Sequence, residues 1–272
     1  MPMHFMRLNP APFGLIRDGR KSIELRLYDE KRRKIQIGDG ILFENTEAPE
    51  LLLARVTGLR VFASFDDLYQ ALPLEACGYT EADVDAASPA DMEVYYSKEA
   101  QQRFGVVGIE LAQEHYGIER AGKEALSNLA ALAAKLWEHP AGELAEEFSD
   151  LLEDGDAALF LARQNGEAVG FAQCQLRHDY VEGTSTSPVG YQEGVYVEEN
   201  HRQRGVAAAL LHACEAWAKR QGCTEFASDC ELENADSLRF HQSLGFREAN
   251  RIICFTKKAI EKSRMEDENG SA

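Results

Sequence analysis

The chain has 272 residues, of which 44% are hydrophobic and 28% are charged, a balance that fits domains with real cores. Its length predicts two domains. The formal net charge of −17 argues against a protein that coats nucleic acid, because phosphate contacts need excess Lys and Arg. No apolar run approaches the roughly 20 residues of a membrane span, and the N-terminus has no apolar signal core. We therefore expect a cytoplasmic protein without a membrane partner.

The N-terminal half mixes short apolar runs with turn residues, a pattern typical of a small β-barrel of the α+β class. Strands are predicted over residues 22–27, 41–43, 51–61 and 104–111, and helices over 13–17 and 65–72. Ser64 stands at the N-cap position of the second helix. We assign residues 1–112 to this domain.

The C-terminal half predicts α/β order around a central mixed sheet. Helices are predicted over residues 123–137, 142–152, 205–221 and 235–244, and strands over 117–120, 157–164, 167–177, 193–197, 225–228 and 252–257. The pair Asn165-Gly166 indicates a tight hairpin between two strands. We assign residues 113–260 to this domain and 261–272 to a disordered acidic tail.

The cysteines give no metal-binding pattern. They are Cys77, Cys174, Cys214, Cys223, Cys230 and Cys254. None forms a CxxC pair, and none has a histidine at zinc-finger spacing. We therefore predict reduced, buried thiols and no metal site.

One stretch of the acidic chain is basic. From Arg17 to Lys34 there are eight basic and four acidic residues, including the run Lys31-Arg32-Arg33-Lys34. Nucleic acid therefore stays open as a ligand of the N-terminal half.

The most informative segment is Gly194–Leu211, where a strand leads through a basic, glycine-containing loop into an amphipathic helix. Backbone N–H groups converge at such a helix N-terminus, and the helix dipole favours an anion. Gly205 lets the backbone approach a ligand closely, and Arg202 and Arg204 add positive charge. The pattern predicts a phosphate cradle, while a lone motif of this kind also occurs in ordinary helices.

This segment resembles the pyrophosphate loop of the GNAT acetyltransferases, and the order of predicted elements is similar to that fold. Downstream, the Asn234–Phe246 segment resembles the final motif of the family. The resemblance implies acetyl-CoA as co-substrate. The cofactor-binding positions that it implies are Val195, Tyr196, Val197, Arg202, Gln203, Arg204, Gly205, Val206, Ala207, Ala208, Asn234 and His241. His241 stands where many members have a tyrosine that acts as the general acid for the departing thiolate. It either replaces that acid or only contributes to packing.

A narrower resemblance covers about residues 116–258. The stretch Tyr180–Val197, with the motifs around Trp217, Cys223–Asp229 and Ser243–Phe246, is similar to the aminoglycoside 6′-N-acetyltransferases. This family acetylates the 6′-amine of polycationic antibiotics, and its members are usually dimers. The resemblance therefore implies an aminoglycoside substrate and a homodimer.

The resemblance also implies the substrate side of the site. Glu193 and Asp229 match its acids, Trp137 and Tyr180 its aromatic positions, and Asn250 replaces a further acid. Carboxylates at the ends of neighbouring strands suit a polycation. Either acid is a candidate catalytic base for the amine, and a bulge is expected beside Gly194.

The segment Pro12–Arg26 resembles the ASCH domain, a PUA-like barrel associated with RNA, over about residues 1–111. Its G-x-K-x-x-E-x-R pattern places Lys21, Glu24 and Arg26 in a candidate groove for RNA or a nucleotide. The alternative is a solvated charged strand. For the whole chain, the alternative is an RNA- or ribosome-associated GNAT enzyme that acts on another amine or polyamine.

Overall fold

The structure is a computed structural model that describes residues 2–257, so the predicted tail lies outside the described residues. Its helices and strands in chain order are β1 (Met3–Leu8), α1 (Pro10–Arg17), β2 (Ile23–Leu27), β3 (Gly40–Asn45), β4 (Leu51–Phe62), α2 (Phe65–Ala71), α3 (Lys98–Phe104), β5 (Val106–Arg120), α4 (Leu126–Trp137), α5 (Ala141–Glu153), β6 (Ala157–Gln164), β7 (Glu167–Arg177), β8 (Val189–Val197), α6 (Val206–Arg220), β9 (Phe226–Ser228) and α7 (Ala235–Ser243). The described residues form two compact units, one up to Asp229 and one from Cys230 onward.

The N-terminal strands form a sheet in the order β1-β3-β4-β5, with β2 added to β5. β1 is parallel to β3, whereas β4 and β5 pair antiparallel. The Arg26 side chain on β2 donates to the Arg7 carbonyl on β1 at 3.0 Å, so the two edge strands approach each other. Phe13 and Ile16 of α1 are buried against this sheet. The arrangement is a small open barrel, in agreement with the predicted fold class.

β5 belongs to both halves of the chain. Its first part pairs with β2 and β4, and its last part, Gly117–Arg120, pairs with β6. We predicted two strands here with a boundary between them, but a single strand runs from Val106 to Arg120. The domain boundary near residue 112 stays a prediction, and no flexible linker marks it.

Helix α6 covers the junction. Its buried residues Val206, Leu210 and Trp217 pack in one apolar cluster with Leu42 and Leu53 of the N-terminal strands. On the same side, Phe5 of β1 lies 4.5 Å from the ring of His212. The two halves therefore share the hydrophobic cluster under α6, in addition to the clusters that each half forms alone.

The C-terminal part of the first unit continues the same sheet through β6, β7, β8 and β9. Asn165 and Gly166 adopt positive φ angles between β6 and β7, which confirms the predicted hairpin. Helices α4 and α5 pack on the sheet face opposite α6, around Phe148 and Phe171. β8 pairs antiparallel with β7 and parallel with the short β9.

The second unit contains α7, as predicted. The strand predicted over residues 252–257 is wrong, since these residues have no regular structure and Ile252, Ile253 and Phe255 are exposed. A strand needs a neighbouring ladder for its backbone groups, and within residues 230–257 no other strand is present. Cys77, Cys174, Cys214 and Cys223 are buried as predicted, whereas Cys230 and Cys254 are exposed.

Within residues 2–257, no helix has the length and apolar character needed to cross a bilayer. The same residues contain no group of three or more His, Cys, Asp or Glu side chains arranged to hold a metal ion.

Candidate functional site

A β-bulge in β8 marks the centre of the candidate site. Gln192 pairs with Cys174 and Gly194 pairs with Gln173, so Glu193 is an extra residue without a partner on β7. On the other side, β9 ends opposite Gln192. On this β9 side, the edge of β8 from Glu193 to Val197 therefore has no neighbouring strand among the described residues, while its other edge pairs with β7. The predicted bulge opens the sheet, and backbone N–H and C=O groups become available to a ligand.

The carboxylate of Glu193 is held by an arginine that the sequence analysis did not select. Both terminal oxygens of Glu193 lie within 3.0 Å of one Arg177 nitrogen, and the Arg177 guanidinium carbon is 3.3 Å from the centre of the Tyr191 ring. The Glu193 side chain is 21% exposed, so the pair is still accessible. A cation therefore already occupies one side of the predicted substrate carboxylate.

Tyr191 connects the two predicted acids. Burial, followed by the charge of Asp229, raises the pKa of Tyr191 to about 12, and Glu193 acts in the same direction. The hydroxyl consequently stays protonated near neutral pH and is a hydrogen-bond donor rather than a base. Asp229 directly follows β9 and is exposed. The structure thus groups Glu193 and Asp229 around one buried tyrosine.

Trp137, at the end of α4, lies against the same bulge. A Cβ at Gly194 would be 2.5 Å from Cζ2 of Trp137, so a glycine is needed for this contact. The indole also packs edge-on against Phe171. Gln173, which pairs with Gly194, is 5% exposed, and its Oε1 has no hydrogen-bond partner among the described residues. Since an unpaired buried acceptor costs about 1–3 kcal/mol, Gln173 is a further candidate ligand contact that the sequence analysis missed.

The predicted phosphate cradle begins directly after β8. Gln203 and Gly205 both have positive φ angles, of 59° and 85°. Gly205 is the N-cap of α6, and no side chain of residues 2–257 caps this helix end. The first N–H groups of α6, from Val206, Ala207 and Ala208, therefore have no intrahelical partner and suit an anion.

The basic residues of this loop have different surroundings. Arg202 donates from Nε to the Val197 carbonyl at 2.9 Å, and its guanidinium lies above the Tyr196 ring at 5.6 Å. It thereby joins the loop to the end of β8. Arg204 is exposed and has no side-chain partner among the described residues. Arg204, rather than Arg202, is free to approach a phosphate.

Three predicted positions belong to the second unit. Asn234 caps α7, accepting a hydrogen bond from the Ser237 N–H at 3.0 Å. His241 Nδ1 lies 2.7 Å from the Ser237 carbonyl, while its Nε2 is buried without a hydrogen-bond partner in the part of the chain that the structure describes. The Asn250 side chain accepts from the Arg251 N–H.

Tyr180 lies in the loop between β7 and β8. Its ring is 80% exposed, and its hydroxyl donates to Glu182 at 2.7 Å. The structure does not bring it into contact with Glu193 or Asp229. Its assignment to the substrate pocket stays a prediction.

The Lys21, Glu24 and Arg26 side chains form a buried ion triad in the N-terminal barrel. Glu24 lies 3.2 Å from Lys21 Nζ and 2.8 Å from Arg26 Nε. Lys21 also donates to the Cys77 carbonyl. Since Lys21 and Glu24 are at most 9% exposed, the triad is packed inside the barrel instead of lining an open groove.

The basic run is on the surface. Lys31 and Lys34 are exposed and have no side-chain partner among residues 2–257. Arg32 is paired with Asp29, and Arg33 lies over the Tyr28 ring. A nucleic-acid contact in this half would therefore use the exposed run before the buried triad.

Each half of the chain matches the model of a known family. Residues 123–246 match the model of the acetyltransferase (GNAT) family, and residues 6–115 match the ASCH domain. The chain is 40% identical over 141 residues to the aminoglycoside N(6′)-acetyltransferase type 1 of Acinetobacter haemolyticus, covering 52% of this chain and 97% of the relative. It is 44% identical over 127 residues to that of Stenotrophomonas maltophilia, covering 46% of this chain and 82% of the relative.

Solved structures give the same result. The aminoglycoside N-acetyltransferase AAC(6′)-Iy in complex with CoA matches with a TM-score of 0.53 at 39% identity, covering 54% of this chain and 97% of that one. AAC(6′)-Iy with the bisubstrate analogue CoA-S-monomethyl-acetylneamine matches with a TM-score of 0.52 at 39% identity, over 53% and 99% of the two chains. The chain belongs to the aminoglycoside N(6′)-acetyltransferase family of GNAT enzymes, and it has an ASCH domain at its N-terminus.

Proposed function

We propose that the protein transfers the acetyl group of acetyl-CoA to the 6′-amine of aminoglycoside antibiotics, and thereby confers resistance to them. The observation that carries this proposal is the position of the Glu193 bulge. At this bulge, β8 has an open edge and two acids lie around Tyr191. The loop that follows β8 leads to the uncapped start of α6. Relatives at about 40% identity are named for this activity, and one structural relative holds CoA.

The residues present fit acetyl-CoA. The free N–H groups at the start of α6, from Gly205 onward, would hold its phosphates. The open backbone of Val195–Val197 would hold the amide groups of the pantetheine arm and position the thioester carbonyl. When bound, acetyl-CoA supplies the activated acetyl group.

The two acids, Asp229 and Glu193, bind and deprotonate the amine of the substrate. Asp229 attracts the cationic drug and orients its ammonium group. Glu193 accepts one proton from the ammonium group, directly or through a water molecule, so that the neutral amine attacks the thioester in a ternary complex. The C–S bond then breaks, CoA leaves as the thiolate, and the second proton lost by the amine nitrogen converts this thiolate to the thiol. When the ammonium group of the drug binds, the Arg177 guanidinium has to give up one or both of its hydrogen bonds to the Glu193 carboxylate. Trp137 forms an apolar wall beside the bulge.

The direct test uses the purified full chain with acetyl-CoA and kanamycin or tobramycin. We expect one acetyl group per drug molecule, located on the 6′-nitrogen by NMR. A drug with a hydroxyl group at the 6′ position is the control and should not react there. Absence of turnover with every 6′-amino drug, combined with turnover of spermidine, would instead support the polyamine alternative.

A second proposal concerns the N-terminal half. We propose that it binds RNA through the exposed Lys31 and Lys34. Changing both to alanine is expected to weaken binding of a single-stranded RNA by about tenfold at 0.1 M salt, because two phosphate contacts are lost. Fluorescence anisotropy gives the dissociation constants. The Lys219→Ala/Arg220→Ala variant removes two exposed cations from the end of α6 and is the matched control.

Equal RNA affinity in the two double variants would contradict this proposal. Variants of the buried triad are unsuitable probes, since removal of one partner from a buried ion pair destabilises the fold by about 3–5 kcal/mol. The predicted homodimer and cytoplasmic location stay predictions, which sedimentation and cell fractionation would test.

A further inference from the structure

A cavity lies on the junction between the two halves, and Glu193 is not among the residues that line it. On β5, residues 112–114 have no partner on β4, because Ala54 pairs with His115 and Val56 pairs with Leu111. Arg55 stands opposite this loop-out of the strand. The break in the ladder leaves a cavity of about 1040 Å³.

The cavity is bordered by both halves of the chain. Arg55 and Ile37 come from the N-terminal strands and their turns, whereas Gln203 and Arg204 come from the loop that begins α6. Tyr116 lies on the same wall, and its hydroxyl is 3.2 Å from His201 Nδ1 in that loop. The cavity therefore borders the loop that leads into the proposed phosphate cradle.

The charges of this cavity point to an anionic ligand. Among the described residues, the arginine side chains without an ion pair, hydrogen bond or ring contact are Arg55, Arg204, Arg220 and Arg247. The first two of these line the same cavity. In a chain of net charge −17, with carboxylates available to most arginines, two unpaired guanidinium groups around one cavity favour a phosphate.

Two acids also border the cavity. Asp39 is engaged by His4 Nε2 at 2.8 Å and by the Gln36 N–H at 2.9 Å. Glu114 lies on the looped-out part of β5 and is exposed, where water screens its charge. Arg55 and Arg204 thus remain available to a ligand.

We propose that the N-terminal domain completes the binding site for acetyl-CoA, with Arg55 binding the 3′-phosphate of its adenosine. This inference rests on the proposed function, because the cradle at Gly205 then holds the pyrophosphate and the phosphorylated adenosine is the part of the molecule beyond it. Ile37, which is 67% exposed on this wall, provides apolar surface for the adenine. The ASCH domain therefore has a role in the reaction of the other half.

The test measures binding of CoA and of 3′-dephospho-CoA by isothermal titration calorimetry to the full chain. We expect Arg55→Gln to weaken CoA binding by about tenfold, the loss of one charge-assisted contact, and to leave 3′-dephospho-CoA binding unchanged. Arg60→Gln is the matched control, since Arg60 lies on the same strand and is paired with Glu110 at 2.9 Å. It should bind both ligands like the unaltered chain.

Equal weakening of both ligands by Arg55→Gln, or no weakening of either, would overturn the proposal. Equal affinity of the unaltered chain for CoA and 3′-dephospho-CoA would also overturn it, while leaving the proposed function intact. If the unaltered chain bound neither ligand, the proposed function itself would fail.

Discussion

Replacing Glu193 by glutamine is expected to lower kcat for aminoglycoside acetylation by about 100- to 1000-fold. The variant keeps the size of the side chain but loses the group that accepts the ammonium proton, and general base catalysis typically contributes 10²–10⁴-fold. KM for acetyl-CoA should stay within about threefold, because the cradle at α6 is untouched. Steady-state kinetics with kanamycin, monitored through release of free CoA, checks both values.

Two further variants separate the role of Glu193 from the role of its surroundings. Arg177→Gln removes the ion-pair partner and retains the carboxylate, so kcat should fall by less than about tenfold. Asp229→Asn is expected to raise KM for the drug more than it lowers kcat. If Glu193→Gln changed only KM for the drug, then Glu193 would be a binding residue and the base would have to be found elsewhere.

Replacing Gly205 by valine is expected to weaken CoA binding by about 100-fold. Gly205 has a φ of 85°, a conformation that is costly for a β-branched residue. The loop would move, and loss of two N–H contacts to phosphate amounts to about 3 kcal/mol. Isothermal titration calorimetry with CoA measures the change directly.

The control for this variant lies at the other end of the same helix. Gly222 also has a positive φ, of 93°, and has open space around it. Gly222→Val should lower the melting temperature to a similar extent and leave CoA affinity unchanged. A similar loss of CoA affinity in both variants would show that helix stability, and not the cradle, controls binding.

Local patterns predicted most of the secondary structure. The amphipathic spacing of Leu129 and Leu132 gave α4, and the pair Asn165-Gly166 gave the hairpin, because both signals depend on neighbouring residues. β1 was missed, since it is stabilised by parallel pairing with a strand more than thirty residues away. The strand predicted over 252–257 is absent because a strand needs a partner strand, and the apolar residues on which the prediction was based do not supply one.

The site was predicted in part. Glu193, Asp229 and the Gly205 loop followed from motifs, and the structure places the two acids around Tyr191. Arg177, Gln173 and Arg55 were not found, because their importance depends on contacts between strands. Tyr191 could have been selected from the sequence, because it precedes Glu193 by two positions in a strand and such side chains lie on the same face of the sheet.

The shared core at the junction has a consequence for cells that carry this enzyme. Leu42 and Leu53 of the barrel pack with Leu210 and Trp217 of α6, and β4 covers the edge of β5. A destabilising mutation in the barrel would therefore reduce the amount of folded acetyltransferase, although it lies far from the reacting groups. Under the proposed function, drug selection would then act on the barrel sequence as well, and hydrophobic positions there would be constrained by their partners in α6.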